Sequence, residues 1–173
     1  MKNMTRSFIS KAGKGLAKIV LLGSVLAPVA IPAAYAAETA IAPVQSQLRV
    51  GESHGGGKVA YIFKHGDRGY VSGQTHGLIA AKEDLTSATW EKALEVCKQF
   101  RGGGFSDWRL PSKDELTRLY ENRNAIGGFV ERYYYWSSTE SDKNDAWDQS
   151  FRTGAHNLGY KLDSNFVRPV RSF

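Results

Sequence analysis

Hydrophobic and polar positions recur with two different periods along the chain, and each period predicts a different kind of element. Across 89–100, apolar or small side chains return every three or four residues, a spacing that places them on one face of an amphipathic helix. We expect the glycines at 102–104 to end this helix, because glycine enters backbone conformations that a β-carbon disfavours. The predicted buried face consists of Trp90, Ala93, Leu94, Cys97 and Phe100.

A capping signal at 111–115 predicts the start of a second helix. The Ser112 hydroxyl can accept a hydrogen bond from the Glu115 amide, and the Glu115 carboxylate can accept one from the Ser112 amide. This reciprocal pair satisfies two backbone donors that a helix start otherwise leaves free. The helix is expected to close at 122–124 and to bury Leu116, Leu119 and Tyr120.

Segments rich in β-branched and aromatic residues, bounded by glycines and polar turns, predict short strands. The segments that fit are 58–63, 77–81, 133–136, 146–151 and 161–170. Two helices with strands at both ends of the domain predict an α+β fold whose terminal strands pair with each other. In that arrangement the two ends of the domain lie close together.

The first 36 residues are organised like a secretory signal. Five basic residues precede an apolar run at 19–31, and the small residues Ala34 and Ala36 form the A-x-A pattern that signal peptidase recognises. We expect cleavage after Ala36, so that 1–36 is a signal peptide, 37–47 a flexible linker and 48–173 the folded domain. The long basic region before the apolar run is typical of bacterial signals, which favours the periplasm or the cell exterior.

A retained membrane anchor is the alternative to a cleaved signal. The apolar run spans only 13 residues and contains Gly23 and Pro28, whereas a membrane-spanning helix needs roughly 20 apolar residues. Cleavage is therefore favoured, and no stable membrane span is expected afterwards.

Removal of the signal also changes the charge of the protein. The chain has 23 Lys and Arg and 17 Asp and Glu, and five of the basic residues but none of the acidic ones precede residue 37. The exported part therefore carries 18 minus 17, or +1. A net charge so close to zero gives no support to nucleic-acid binding.

Cys97 is the only cysteine of the chain, so no intramolecular disulfide can form. Its place on the apolar stripe of the first helix favours burial over a reactive thiol or an intermolecular bridge, since free cysteine is among the most buried residue types.

Several motifs occur in an ordered series: GFSDWRLPSKDEL at 104–116, IGGF at 126–129, YWSSTE at 135–140, AW at 146–147 and VRPVR at 167–171. Together they resemble the Lcl C-terminal domain family, named for the C-terminal domain of the Legionella collagen-like adhesin. The resemblance runs from about Gly51 to Phe173. It implies a C-type-lectin-like fold with two helices and short antiparallel strands, related to the fold of formylglycine-generating enzymes.

The resemblance also implies a function and a set of partners. In the collagen-like adhesin this domain is associated with trimerisation and with binding of sulfated polysaccharides at surfaces. We therefore expect a non-enzymatic module for adhesion or for recognition of a sulfated surface glycan, with a homotrimer as the implied assembly. A structural or assembly protein of the bacterial envelope and a degenerate enzyme of the formylglycine-generating fold are the alternatives.

Most of the motif residues are assigned to the framework of the domain. Trp108 and Leu110 are expected in the core, with Arg109 pairing with carbonyls or a carboxylate beside the capped helix. Trp136 is expected in a strand, and Arg168 before Pro169 is expected to end an edge strand. The full framework set is Trp108, Arg109, Leu110, Pro111, Ser112, Glu115, Trp136, Trp147 and Arg168.

Candidate ligand-binding residues come from the late loops, where basic and aromatic side chains are close in sequence. Arginine and lysine donate charge-assisted hydrogen bonds to sulfates, and aromatic rings stack on sugar faces. Ordinary solvated surface charge is the competing interpretation of each of these residues. The candidates are Arg132, Tyr133, Tyr134, Lys143, Arg152, His156 and Lys161.

No catalytic residue, metal site or cofactor is expected. The cysteine pair of formylglycine-generating enzymes is missing, no G-x-S-x-G motif frames a serine, and the histidines lack metal-binding spacing. The calcium-binding triplets of C-type lectins are also missing. The oxygen-rich stretch of Asp142, Asn144, Asp145 and Asp148 is best explained as an exposed polar loop.

Overall fold

Seven strands and three α-helices occur in the described part of the chain, residues 47–173 of a computed structural model. The predicted signal and almost all of the predicted linker lie outside the described residues. The strands are β1 (Ser53–His54), β2 (Gly57–Ile62), β3 (Gly77–Ala80), β4 (Tyr134–Glu140), β5 (Asp145–Ser150), β6 (His156–Tyr160) and β7 (Val170–Ser172). The helices are α1 (Trp90–Gln99), α2 (Lys113–Glu121) and α3 (Arg123–Ile126), with a 3-10 turn at Gly102–Gly104.

The strands form two antiparallel sheets. One has the order β1-β2-β3-β7, and the other has the order β4-β5-β6. Helices and antiparallel strands together confirm the predicted α+β class. Two helices were expected and three are present, because α3 begins directly after the Asn122 cap of α2.

The three-stranded sheet is buried on both of its faces at β4. Tyr135 packs with Leu116 and Leu119 of α2 in one apolar cluster, whereas Trp136 packs with Ala93 of α1 in another. Successive residues of a strand point to opposite faces, so this sheet lies between the two long helices. Cys97 belongs to the α1 cluster and is fully buried, as predicted, and burial raises the pKa of its thiol to about 12.

The prediction that the terminal strands pair with each other is wrong. β7 pairs with β3, with Leu78 opposite Ser172, so β1 and β7 form the two outer edges of one sheet. β3 is an inner strand with a partner on each side, and all four of its residues are buried. The two ends of the domain are nevertheless close, since the ring centroids of His54 and Phe173 lie 5.1 Å apart.

The predicted strand at 161–170 is wrong in position and in length. β6 instead occupies His156–Tyr160, and the chain then runs irregularly until β7 begins. The Val167 carbonyl accepts from the Leu85 N–H at 2.9 Å, outside either sheet. Pro169 has no N–H to donate, so a continuous ladder does not form across this segment.

Arg168 is buried at the centre of the domain, and the prediction that it ends an edge strand is wrong. Its side chain is 1% exposed. The Nε atom donates to the Asp84 carboxylate at 2.6 Å, and Nη1 donates to the Ala81 carbonyl at 2.9 Å. The remaining guanidinium donors reach the carbonyls of Gly127 and Gly128.

A second chain of hydrogen bonds meets the same carboxylate. The Tyr135 hydroxyl donates to Asp84 at 2.6 Å and accepts from the Val130 N–H at 2.7 Å. Burial, together with this hydrogen bond to Asp84, raises the pKa of Tyr135. The Arg168 guanidinium also lies 4.0 Å from the centroid of the Phe129 ring. This network therefore holds the end of β3, the 127–130 turn and β4 together.

No helix within residues 47–173 has both the length and the apolar character that crossing a membrane requires.

Candidate functional site

The start of α2 has the predicted capping box. Glu115 N–H donates to the Ser112 hydroxyl at 3.3 Å, and Ser112 N–H donates to the Glu115 carboxylate at 2.8 Å. Arg109 adds two parallel hydrogen bonds to the same carboxylate, at 2.6 and 2.7 Å. Burial by itself would raise the pKa of Glu115, but Arg109 and the Ser112 amide outweigh burial and lower it. This Arg109–Glu115 fork is fixed in orientation beside the helix start.

The other framework residues lie around this motif. Trp108 and Trp136 are buried, and their indole N–H groups donate to the Gly102 carbonyl at 3.0 Å and the Ala88 carbonyl at 2.8 Å. Leu110 and Pro111 are also buried. Trp147 is only half-buried, and the Lys113 ammonium lies 3.1 Å from its ring centroid.

The seven candidate ligand-binding residues do not form one surface. Four of them lie where β4 begins and β5 ends, namely Arg132, Tyr133, Tyr134 and Arg152. Lys143 and Lys161 lie at the opposite end of the sheet, by the turn that joins β4 and β5. At about 3.3 Å per strand residue, the length of β4 separates the two groups by roughly 20 Å.

We call Arg132, Tyr133, Tyr134 and Arg152 the arginine–tyrosine patch. Tyr134 pairs with Ser150, and the Phe151 N–H donates to the Tyr133 carbonyl at 3.1 Å. Arg132 precedes Tyr133 and Arg152 follows Phe151, each in a turn just beyond this pairing. The pairing of β4 with β5 thus puts two residues of like charge at the same end of the sheet.

The rings of the arginine–tyrosine patch are open to solvent. Tyr133 is 53% exposed and Tyr134 is 45% exposed, and one side of the Tyr133 ring is supported by Phe166 at a centroid distance of 5.0 Å. Within residues 47–173, neither Arg132 nor Arg152 takes part in an ion pair. Both guanidinium groups are therefore available to an external anion.

Lys161 is not the solvent-exposed cation that the sequence predicted. It is 9% exposed, and its ammonium donates to the Glu140 carboxylate and, at 2.6 Å, to the Asp142 carbonyl. The ammonium also lies 4.7 Å from the Trp90 ring centroid. These contacts neutralise the charge, so Lys161 closes the turn between β4 and β5. Lys143 is exposed nearby.

His156 is partly buried against α2. Its Nε2 lies 3.0 Å from the Thr117 hydroxyl, which donates in turn to the Lys113 carbonyl at 3.2 Å. Nδ1 is buried and has no partner among the described residues. Burial, and then the charge of Lys113, lower the pKa of His156. This environment favours the neutral imidazole, which is unsuited to holding a sulfate.

Asp148 does not belong to the exposed polar loop in which the sequence analysis placed it. It lies within β5, is 4% exposed, and accepts from Asn157 at 3.3 Å and Asn165 at 2.9 Å. Burial raises the pKa of its carboxyl group. Asp142 remains in the loop, where its carboxylate accepts from the backbone N–H groups of Asn144 and Asp145. Residues 47–173 contain no group of three or more acidic, histidine or cysteine side chains placed to hold a metal ion.

A cleft of about 670 Å³ lies beside the Arg109–Glu115 fork, and both residues of the fork line it. Its floor is a face of the four-stranded sheet, where Leu78 pairs with both Tyr61 and Ser172. The first turns of α2 form one wall, and the loop after β2 forms the other. The pattern of residues along the sequence did not predict this cleft.

The loop wall of the cleft is held by Asp67. Its carboxylate accepts from the Tyr61 hydroxyl at 2.8 Å and from the Lys64 N–H at 2.7 Å, and these bonds lower the pKa of Asp67. The Arg118 guanidinium lies 3.8 Å from the same carboxylate and 4.6 Å from the Tyr61 ring centroid. Loop, sheet and α2 are thereby tied together around the cleft.

Residues 69–171 match the Lcl C-terminal domain, and this match spans more than half of the chain. The chain belongs to the Lcl C-terminal domain family. Membership of the Lcl C-terminal domain family indicates a surface- or adhesin-associated module. No curated protein matches the chain. The matched region of this Lcl C-terminal domain contains the whole arginine–tyrosine patch and the Arg109–Glu115 fork, whereas Tyr61 and Asp67 of the cleft precede it.

Proposed function

We propose that the protein is an exported, non-enzymatic binding module of the bacterial surface that attaches to sulfated polysaccharide through the arginine–tyrosine patch. The observation that carries the proposal is that Arg132 and Arg152, where β4 begins and β5 ends, are both exposed and take part in no ion pair among residues 47–173. Sulfate is an anion that arginine recognises with paired hydrogen bonds, and each of these two guanidinium groups is free to hold one.

The tyrosines of the patch support a polysaccharide over a free inorganic anion. Tyr133 and Tyr134 are large, exposed rings at the start of β4, and an exposed aromatic ring is a favourable surface for the apolar face of a sugar. Phe166 holds the Tyr133 ring in place, which reduces the entropy lost on binding. A chain ligand can contact the rings and the arginines at once.

The arginine–tyrosine patch is small, so we expect a single domain to bind the polysaccharide weakly. A homotrimer would present three patches to one polysaccharide chain, and the linked binding events would raise the overall affinity. The exported location follows from the predicted signal, and it places the domain where surface glycans occur.

Binding of the purified protein to dextran sulfate and to unsulfated dextran tests this proposal. We expect saturable binding to the sulfated polymer only. The double variant Arg132→Gln/Arg152→Gln should lose roughly tenfold in affinity, since two exposed ion pairs of about 0.7 kcal/mol each sum to one factor of ten. The matched control Arg49→Gln/Lys98→Gln removes the same charge from exposed positions elsewhere and should bind like the unmodified protein.

The mass of the protein in solution should be measured in the same samples. Equal binding to sulfated and unsulfated dextran, or equal losses in the double variant and its control, would contradict the proposal. Self-association by a folded protein that binds neither polymer would favour an assembly protein of the envelope instead.

A further inference from the structure

The cleft beside α2 takes no part in the proposed polysaccharide binding. Its volume, however, is large enough for a small ligand. Binding sites for small molecules commonly enclose about 300–1,000 Å³, and this cleft encloses about 670 Å³. It lies on the sheet formed by β2, β3 and β7, whereas the arginine–tyrosine patch lies on the other sheet. The two surfaces are therefore separate.

The charged groups of the cleft balance one another. Three basic and three acidic residues line it, namely Arg68, Arg109, Arg118, Asp67, Asp114 and Glu115. The Arg109–Glu115 fork and the approach of Arg118 to Asp67 neutralise four of these six charges in place. The cleft thus presents fixed donors and acceptors without a net charge, and it offers no attraction to a sulfate.

We propose that this cleft binds an uncharged sugar residue, whose neighbouring hydroxyl groups bridge the Arg109–Glu115 fork. A hydroxyl both donates and accepts hydrogen bonds, so two adjacent hydroxyls match a guanidinium beside a carboxylate. Arg109 uses two of its N–H donors on Glu115 and retains others. The side chains of Arg109 and Glu115 are 43% and 21% exposed, so both can be reached from the cleft.

The rest of the cleft fits the remainder of a sugar ring. Phe63 supplies apolar surface for the C–H groups, and the polar residues Ser112, Thr117 and Ser172 also belong to the lining. A purely apolar ligand would leave the polar lining desolvated and unpaired, which is unfavourable. An anion would face the carboxylates of Asp67 and Asp114. A neutral polyhydroxylated ring satisfies both kinds of surface.

Titration of the isotope-labelled, purified protein followed by NMR tests this inference. The probes are the methyl pyranosides of glucose, mannose, galactose and N-acetylglucosamine, added to about 50 mM because single-ring ligands bind in the millimolar range. We expect at least one to shift the Arg109 Nε–H and Thr117 amide signals saturably. (Tetrahydropyran-2-yl)methanol, which has the ring but no neighbouring hydroxyls, should produce no such shift.

Two variants with the same substitution locate the site. Ser172→Tyr places a large ring at the exposed end of β7, in the lining of the cleft, and should abolish the shifts. Ser53→Tyr makes the same change in the exposed edge strand β1, outside the lining, and should leave them unchanged.

The outcome for the cleft is independent of the outcome for the polysaccharide. Sugar binding should not change with salt concentration and should persist in Arg132→Gln/Arg152→Gln. The inference is overturned if no pyranoside shifts the cleft signals, if the shifts appear at the arginine–tyrosine patch instead, or if Ser172→Tyr binds as well as Ser53→Tyr.

Discussion

Replacing Arg168 with methionine should be among the most damaging single changes in the domain. The guanidinium is buried and forms an ion pair with Asp84, which is itself almost fully buried. Methionine keeps much of the side-chain volume but leaves the Asp84 carboxylate buried with only the Tyr135 hydroxyl as a partner. It also leaves three carbonyl groups without their donor.

The expected cost can be worked from these contacts. Breaking a buried ion pair by removing one partner costs about 3–5 kcal/mol, a large part of the roughly 5–15 kcal/mol that stabilises a domain. For a domain of this size each 1 kcal/mol shifts Tm by about 3–5 °C, so Tm should fall by roughly 10–20 °C. The measurement is urea unfolding at pH 7 together with a thermal scan, with Arg152→Met as an exposed arginine control that should be nearly silent.

A double-mutant cycle separates the ion pair from the loss of packing. Asp84→Asn and Arg168→Met should be strongly non-additive, because each single change removes the same interaction; we expect a coupling of about 2 kcal/mol or more. The reasoning would be refuted if Arg168→Met cost less than about 1 kcal/mol, or if the two changes were additive.

Three further predictions concern single positions. Ser112→Ala should lower the free energy of unfolding by about 1 kcal/mol, because it removes the hydroxyl that caps α2; urea unfolding measures this, and Ser164→Ala in an exposed turn is the control. Gly159→Ala should be clearly destabilising by the same assay, because a β-carbon there would lie 2.6 Å from the Trp136 ring; an unchanged midpoint would show that the ring moves freely. His156 has a folded-state pKa below its ordinary value of 6.5, so its contribution to stability is fully present above pH 6.5 and is lost as the pH falls from there through the lowered folded-state pKa. His156→Gln should therefore flatten the pH dependence of the free energy of unfolding below pH 6.5, and a free energy that falls equally steeply with pH in both proteins would contradict that assignment.

Elements specified by neighbouring residues could be predicted from the sequence. The apolar period of α1 and the capping box of α2 use contacts three or four residues apart, and both helices lie where the pattern places them. Strands with clear β-branched and aromatic runs, such as β2 and β5, also occur within one or two residues of the predicted segments.

Features that depend on distant pairing could not be predicted in this way. The Asp84–Arg168 pair joins residues 84 positions apart, and no local signal distinguishes a buried arginine from an exposed one. Lys161 looked like a free cation for the same reason, since its partner Glu140 is brought near only by the folding of β4 against β5. Within the ligand set, chain proximity correctly grouped residues 132–134, but only the pairing of β4 with β5 brings Arg152 to the same end of the sheet.

The salt dependence of dextran sulfate binding tests the central claim most directly. Each ion pair formed with a polyanion releases about one condensed counterion, so the logarithm of Kd rises with the logarithm of salt concentration with a slope of roughly one per pair. If Arg132 and Arg152 hold the sulfates, Arg132→Gln/Arg152→Gln should reduce that slope by about two relative to Arg49→Gln/Lys98→Gln. A slope that is the same in the two double variants would contradict the claim that the arginine–tyrosine patch is the binding surface.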